Sequence, residues 1–307
     1  MVSRHVLEVP NGGRLPGASV PYLEYGDRSR GPSVALIAGV HGCEYSSMLG
    51  LRRFLAGLDE AELQGHLVAV PIANLASFHA RQAFTVPHDQ LNLNRCFPGN
   101  PEGSFTERLA WVLFETIIRP ADRYVDMHCG DQVEELASFA LYDASPVEDV
   151  AEQMAQDYGL DFIIRVERSD SPVAGTGSAA AAEVGIPAIT AEAGGRGIVE
   201  VAEADRHVAG LRRIFGRLGL LPAPADAPTP ATVLHHFLWM RADKGGWWEP
   251  AVVAGEEVAA GQRLGTIGSL LGGEEVEVTA PEPGFPLFIT SSPAVADDGL
   301  LLGLGVR

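Results

Sequence analysis

The chain has 307 residues, 46% apolar and 20% charged, which is the make-up of a globular protein with room for one large domain and a small one. Its 22 basic and 40 acidic residues give a net charge of −18, so nucleic acid and anionic membrane surfaces are repelled at long range and excluded as partners. The start, M-V-S-R-H-V-L-E-V-P, lacks an apolar signal core, no apolar run approaches the ~18 residues of a membrane span, and three scattered cysteines make no disulfide framework, so a cytoplasmic location is expected.

Residues 1 to 30 alternate weakly, with turn signals at Asn11-Gly12-Gly13 and Pro16-Gly17, and predict one or two edge strands. Ser33 to Ala38 is an apolar run of the kind that forms a strand buried on both faces, ended by Gly39 and Gly42. Just beyond it stand His41 and Glu44. Apolar residues at Met48, Leu51, Phe54, Leu55 and Leu58 predict a helix over Tyr45 to Leu58, and His66 to Ile72 reads as a second buried strand. Strand, helix, strand is a crossover unit, so the expected fold is α/β, a largely parallel sheet flanked by helices.

Asn74 to Gly103 is rich in turn residues and predicts a long irregular segment, which inside a compact domain points to function. It carries N-L-N-R-C-F-P-G, residues 92 to 99. A helix follows over Phe105 to Ile118, capped by Ser104 or Thr106, and then a strand over Tyr124 to His128 that delivers D-M-H-C-G-D. Ser138 to Tyr142 and Phe162 to Val166 read as strands around a helix over Val147 to Tyr158. A small-residue helix over Ser178 to Val184 leads into a strand, Ile186 to Thr190, that ends in A-E-A-G-G, and Ala204 to Leu218 is the last helix of a first domain at 1–222.

Residues 221 to 230, L-P-A-P-A-D-A-P-T-P, have the composition of a linker. Over 231–307 short β-prone runs separated by glycine predict a small all-β domain that looks like the barrel-sandwich fold of biotinyl and lipoyl carriers. No lysine falls between 266 and 290, so a carrier role does not transfer; a lid, a specificity wall or a homo-oligomer contact is expected instead. Lys244 is the only lysine of the chain, which leaves amine chemistry one candidate.

Three strand ends carry ligands or acid-base groups: His41 with Glu44, then His128, then Glu192. Ligands bind outside the carboxyl ends of strands in open α/β sheets, so these groups converge on one place. Taken alone, H-x-x-E is equally a helix-start glutamate beside a satisfied histidine. Two imidazoles and one carboxylate make three protein ligands with a position left for water, the pattern of a catalytic zinc site, although nickel, cobalt and manganese suit the same set. Such an ion polarises a carbonyl and makes hydroxide available near neutral pH.

Glu192, ahead of Gly194-Gly195, has the chemistry of a general base that passes a proton from water to a leaving amine; its other reading is a solvated loop residue. Asp126, two residues before His128, either fixes the imidazole tautomer or pairs with an arginine. Asn94 and Arg95 suit a substrate carboxylate, through a guanidinium fork and an adjacent amide, unless Arg95 is a plain surface charge. Cys43, Cys96 and Cys129 each fall beside a motif and read as packing residues before thiolate ligands or redox groups.

In this order, H-G-C-E, N-L-N-R-C-F-P-G, D-M-H-C-G and A-E-A-G-G resemble the succinylglutamate desuccinylase and aspartoacylase family, relatives of the zinc carboxypeptidases. With the β-rich tail the resemblance covers nearly the whole chain. It implies one zinc ion held by His41, Glu44 and His128, a general base at Glu192, a substrate carboxylate held by Asn94 and Arg95, and an arginine, Arg81, that polarises the scissile carbonyl. Where the pattern would place a second arginine before N-L-N-R, this chain has Phe84 and Pro87, which leaves room for a different substrate. The expected activity is zinc-dependent hydrolysis of the amide bond of a small N-acyl amino acid or N-acyl amine that carries a carboxylate. A metallocarboxypeptidase of short peptides and a non-catalytic binding protein are the alternatives.

Overall fold

A computed structural model of the chain describes residues 2–11, 17–167 and 174–307; the turns expected at 12–16 lie outside the described residues. Its centre is β3 (Ser33–Ala38), buried along its whole length. Val34, Leu36 and Ala38 join one hydrophobic core, and Ala35 and Ile37 join another on the opposite face. Alternation between two cores is what a strand covered by helices on both faces requires.

Among the described residues this strand belongs to a nine-stranded sheet. In spatial order its members are β1 (Ser3–Val9), β2 (Ala18–Gly26), β4 (His66–Val70), β3, β5 (Arg123–His128), β9 (Ala188–Glu192), β7 (Phe139–Asp143), β8 (Phe162–Val166) and β10 (Thr232–Leu234). The pairs β4–β3, β3–β5, β5–β9, β7–β8 and β8–β10 run parallel, and β1–β2, β2–β4 and β9–β7 antiparallel. The largely parallel sheet expected from the crossover unit is therefore present, with an antiparallel edge built by the start of the chain.

One face is covered by α1 (Tyr45–Ala56), α4 (Glu148–Tyr158) and α6 (Val201–Arg217), through side chains such as Phe54, Met154 and Phe215. The other takes α3 (Phe105–Leu113), its π-helical continuation Phe114–Ile118, and α5 (Gly177–Glu183). Ser104 caps α3 in a reciprocal box: its hydroxyl accepts from the Glu107 N–H at 3.3 Å, and the Glu107 carboxylate accepts from the Ser104 N–H at 2.8 Å. Thr106, the other expected cap, instead donates its N–H to Asp89 at 2.8 Å and so ties the preceding loop to the helix.

That loop is less irregular than its composition predicts. It contains α2 (Leu75–Ala80), capped by the Asn74 side chain, and a 3-10 turn at Leu93–Arg95. Val86, Leu93 and Phe97 are buried in the second core, which anchors the segment without regular pairing.

The C-terminal region adds two four-stranded sheets. One holds β11 (His236–Arg241), β17 (Leu300–Val306), β15 (Gly284–Thr290) and β6 (Glu134–Leu136); the other holds β14 (Glu275–Thr279), β13 (Arg263–Gly268), β12 (Gly246–Pro250) and β16 (Ala294–Val295). Trp248, Leu264, Leu301 and Leu304 form the core between them. Two strands cross over: β6 pairs with β15, and β10 pairs with β8 of the large sheet. No helix among the described residues is long and apolar enough to cross a membrane.

His207 of α6 is fully buried behind the sheet. Its Nδ1 accepts from the Tyr158 hydroxyl at 2.7 Å and its Nε2 donates to the His128 carbonyl at 3.1 Å, so a neutral ring satisfies both partners. Burial holds its pKa down to about 4. A depressed histidine contributes stability in full above its unfolded value and loses it as pH falls toward the folded value. We expect the excess stability of the wild type over His207→Asn, measured by urea denaturation, to shrink by roughly 3 kcal/mol between about pH 7 and pH 4. A difference that stays flat across that window would show that the ring is not held neutral.

Candidate active site

The carboxyl ends of β3, β5 and β9 lie side by side: Ala38 is paired with Met127, and His128 with Glu192. Beyond β3 the chain turns at Gly39, whose φ is 67°, and Gly42 then presses against α2 so closely that a Cβ would stand 2.2 Å from the Ser77 carbonyl carbon. This tight turn delivers His41 and Glu44 to the end of β5. One ligand atom from each of His41, Glu44 and His128 lies within 4.8 Å of the others, and all three residues are buried.

The Glu44 carboxylate bridges the two rings. Its Oε1 meets His41 Nδ1, and its Oε2 is 2.9 Å from His128 Nδ1. The remote nitrogens face other acceptors: His41 Nε2 is 3.0 Å from Asn92 Oδ1, and His128 Nε2 is 3.1 Å from Asp126 Oδ1. At His41 the Asn92 acceptor favours the proton on Nε2 and leaves the Nδ1 lone pair facing Glu44.

The close approaches of His128 are not aligned as hydrogen bonds. Glu44 Oε2, both His128 ring nitrogens and both Asp126 carboxylate oxygens are buried without a hydrogen-bond partner. Orphaned buried groups cost about 1–3 kcal/mol each, and a cation between the imidazoles and the carboxylate would engage His128 Nδ1 and Glu44 Oε2 together. Two neutral imidazoles and one carboxylate are a donor set that zinc accepts, so the residues fit the ion that the resemblance implies.

The electrostatics point the same way. Burial opposes charge on every member of the cluster, yet at Glu44 the two histidines outweigh it and bring the carboxyl down to about 2. At His128 burial is overcome by Glu44 and Asp126, which raise the ring well above the usual histidine range. His41 is also raised, by Glu44 against burial. Such a site demands positive charge next to its carboxylate.

A cavity of about 330 Å³ opens beside the cluster, lined by His41, Glu44, Asn94, Arg95 and Glu192 among others. Burial pushes the Glu192 carboxyl up to about 8, against the pull of His128 and with Glu44 and Glu134 adding to it. Asn94 is buried, its side-chain oxygen accepting from the Gly177 N–H at 3.3 Å, and Arg95 Nη1 donates to the Asn94 carbonyl at 2.7 Å. Phe84 lines the cavity with its ring edge-on to His41, centroids 6.1 Å apart.

Arg81 is placed differently. It is exposed, ends α2 in a left-handed conformation with φ 54°, offers its carbonyl to Gln132 Nε2 at 3.2 Å, and is not among the residues that line the cavity. Asn92 and Glu134 are polar lining residues that the sequence pattern does not single out. Asn92 was passed over for Asn94, although N-L-N offered both amides. Glu134, whose carboxyl burial pushes up to about 7, sits on β6, and no sequence signal brings it here. Cys43, Cys96 and Cys129 are free; the first and last are buried around the site, outside the His41–Glu44–His128 cluster.

The family model of the succinylglutamate desuccinylase/aspartoacylase catalytic domain matches residues 30–216. Among curated proteins, the chain is similar to the N-alpha-acetyl-L-2,4-diaminobutyric acid deacetylase of Halomonas elongata, 27% identical over 250 residues that make up 78% of this chain and 71% of that one. Among solved structures, it has the fold of the product-bound ectoine utilization protein EutE (DoeB) from Ruegeria pomeroyi, with a TM-score of 0.89, 24% identity, and coverage of 100% of this chain and 95% of that one. It also has the fold of a succinylglutamate desuccinylase from Silicibacter sp. TM1040, with a TM-score of 0.86, 24% identity and coverage of 99% and 95%.

The outer acceptors give the first test of the cluster. Asn92→Ala removes the group that orients His41 and is expected to weaken zinc binding by about 10- to 100-fold in a chelator competition titration. Zinc affinity equal to that of the wild type would show that Asn92 does not orient His41 for an ion.

Proposed function

The chain belongs to the succinylglutamate desuccinylase/aspartoacylase family, and on that premise we propose that it is a zinc-dependent amidohydrolase that removes the acyl group from a small N-acyl amino acid. The observation that carries this reading is the shared space: Glu192 and Arg95 line the same cavity as His41 and Glu44. The curated relative supports it, because its name is that of a deacetylase of an N-acetylated amino acid.

The ion would be held by His41, Glu44 and His128. When bound, it supplies Lewis acidity toward the scissile carbonyl and makes water acidic enough to react near neutral pH. Glu192 takes the proton of the attacking water and returns it to the leaving nitrogen as the amide bond breaks. Burial raises the Glu192 carboxyl to about 8, which favours holding the proton it takes until the nitrogen leaves. Arg95 offers its guanidinium fork to the substrate carboxylate. Asn94 can add its amide NH₂, since its oxygen already accepts from Gly177. Residues of the C-terminal sheet line the far side of the cavity, which favours a small substrate over a long peptide.

With N-acetyl amino acids as substrates, Glu192→Gln is expected to keep its zinc while kcat falls by roughly 10²-fold or more. Arg95→Ala should act mainly on KM. A zinc-loaded Glu192→Gln enzyme that turned over at the wild-type rate would remove the general-base assignment.

A further inference from the structure

Part of the wall of the cavity that Glu192 lines is apolar and aromatic. Phe237 and Trp239 of β11, Phe288 of β15, and Phe139 and Leu141 of β7 line the same space as the acid-base group. The first three rings touch one another, with centroids 5.3 Å apart for Phe237–Trp239, 5.6 Å for Phe237–Phe288 and 5.3 Å for Trp239–Phe288.

The fold makes room for this trio. On β17, Gly303 lies beneath it, and a Cβ there would stand 2.1 Å from the Phe237 ring and 2.4 Å from the Phe288 ring. The register of β15 against β17 shifts between Pro286 and Phe288, the kind of irregularity that re-aims a side chain. Phe139 and Ile164 of this lining belong to a buried cluster with Phe285 and Leu287, and Phe237 packs against it. Phe237 and Trp239 are only half-buried and keep free surface toward the cavity. Of the charged side chains on this side, Arg165 pairs with Glu148 at 2.8 Å and with Glu167, and His236 lies 3.9 Å from Glu282; Asp143 also lines the cavity.

An acetyl group and a short polar side chain leave such a wall wet, whereas a phenyl or branched aliphatic group would cover it. We propose that the substrate carries a bulky apolar group, aromatic by preference, seated on Phe237, Trp239 and Phe288, so that the C-terminal sheet sets the specificity. This rests on the deacylase reading above and names its substrate class. The apolar group can sit on the amino-acid half or on the acyl half of the substrate, and the experiment distinguishes the two.

The test compares kcat/KM of the zinc-loaded enzyme for N-acetyl-L-phenylalanine, N-benzoylglycine, N-acetyl-L-alanine and N-alpha-acetyl-L-2,4-diaminobutyrate. A phenyl-bearing compound is expected to exceed N-acetyl-L-alanine by at least about tenfold, and the better of the two phenyl compounds identifies the half that carries the ring. Trp239→Ala should lower kcat/KM for that compound at least about tenfold more than for N-acetyl-L-alanine, chiefly through KM. If N-acetyl-L-alanine or the diaminobutyrate compound is hydrolysed as well as the phenyl compounds, the proposal is overturned and the deacylase reading stands. If nothing is hydrolysed, that reading fails by itself. Calorimetry on the zinc-loaded Glu192→Gln variant then decides the proposal alone: tighter binding of the phenyl compounds supports an apolar ligand site, and equal affinities overturn it.

Discussion

One buried carboxylate sets the positions of most of what surrounds it. Glu44 is 3% exposed and lies between two imidazoles, and a buried charge is tolerable only where partners of this kind hold it. The partners are in turn held from two directions. Behind His128 stand Asp126 on the same strand and the His207 N–H on its carbonyl, with His207 braced by Tyr158 of α4. Behind His41 stands Asn92, carried by the loop that Val86, Leu93 and Phe97 anchor in the second core. Packing on both faces of the sheet thus converges on the orientation of two rings, and a shift in either face would misdirect a ligand atom.

The sheet and the convergence of His41, Glu44 and His128 were legible in the sequence for one reason. Strands buried on both faces read as continuous apolar runs, and in such sheets the residues just after those runs fall at one edge. His41, Glu44, His128 and Glu192 follow from that rule without knowledge of any side-chain direction. The residues that needed such knowledge were missed. In N-L-N either asparagine could turn to His41, and the choice is made by the 3-10 turn, in which Asn92 caps the Asn94 N–H at 2.8 Å and so faces the ring. Arg81, which the resemblance would set at the scissile carbonyl, stands at the exposed end of α2.

The short strands were hidden for a different reason. Glu134–Leu136 and Thr232–Leu234 have three residues each, too few for a period to emerge, and their partners are contributed by the other part of the chain. Pairing at that separation is a property of the assembled fold rather than of local sequence. Composition likewise suggested a structureless loop at 74–103, whereas buried apolar residues and side-chain caps give it a fixed path.

The exchange of those two strands also explains how a β-rich appendage can act on chemistry at the far sheet. The tip between β13 and β14, at Leu270 and Leu271, is exposed and carries no lysine to which a carrier's cofactor could be attached. The opposite face is the one joined to the site. Glu192 pairs with Phe139 across β9 and β7, and three residues earlier in the chain Leu136 pairs with Phe288 across β6 and β15. A path of backbone pairing and chain therefore links Glu192 to the aromatic wall. A wall fixed in this way is already ordered, so whatever it contacts does not bear the entropic cost of closing a mobile lid.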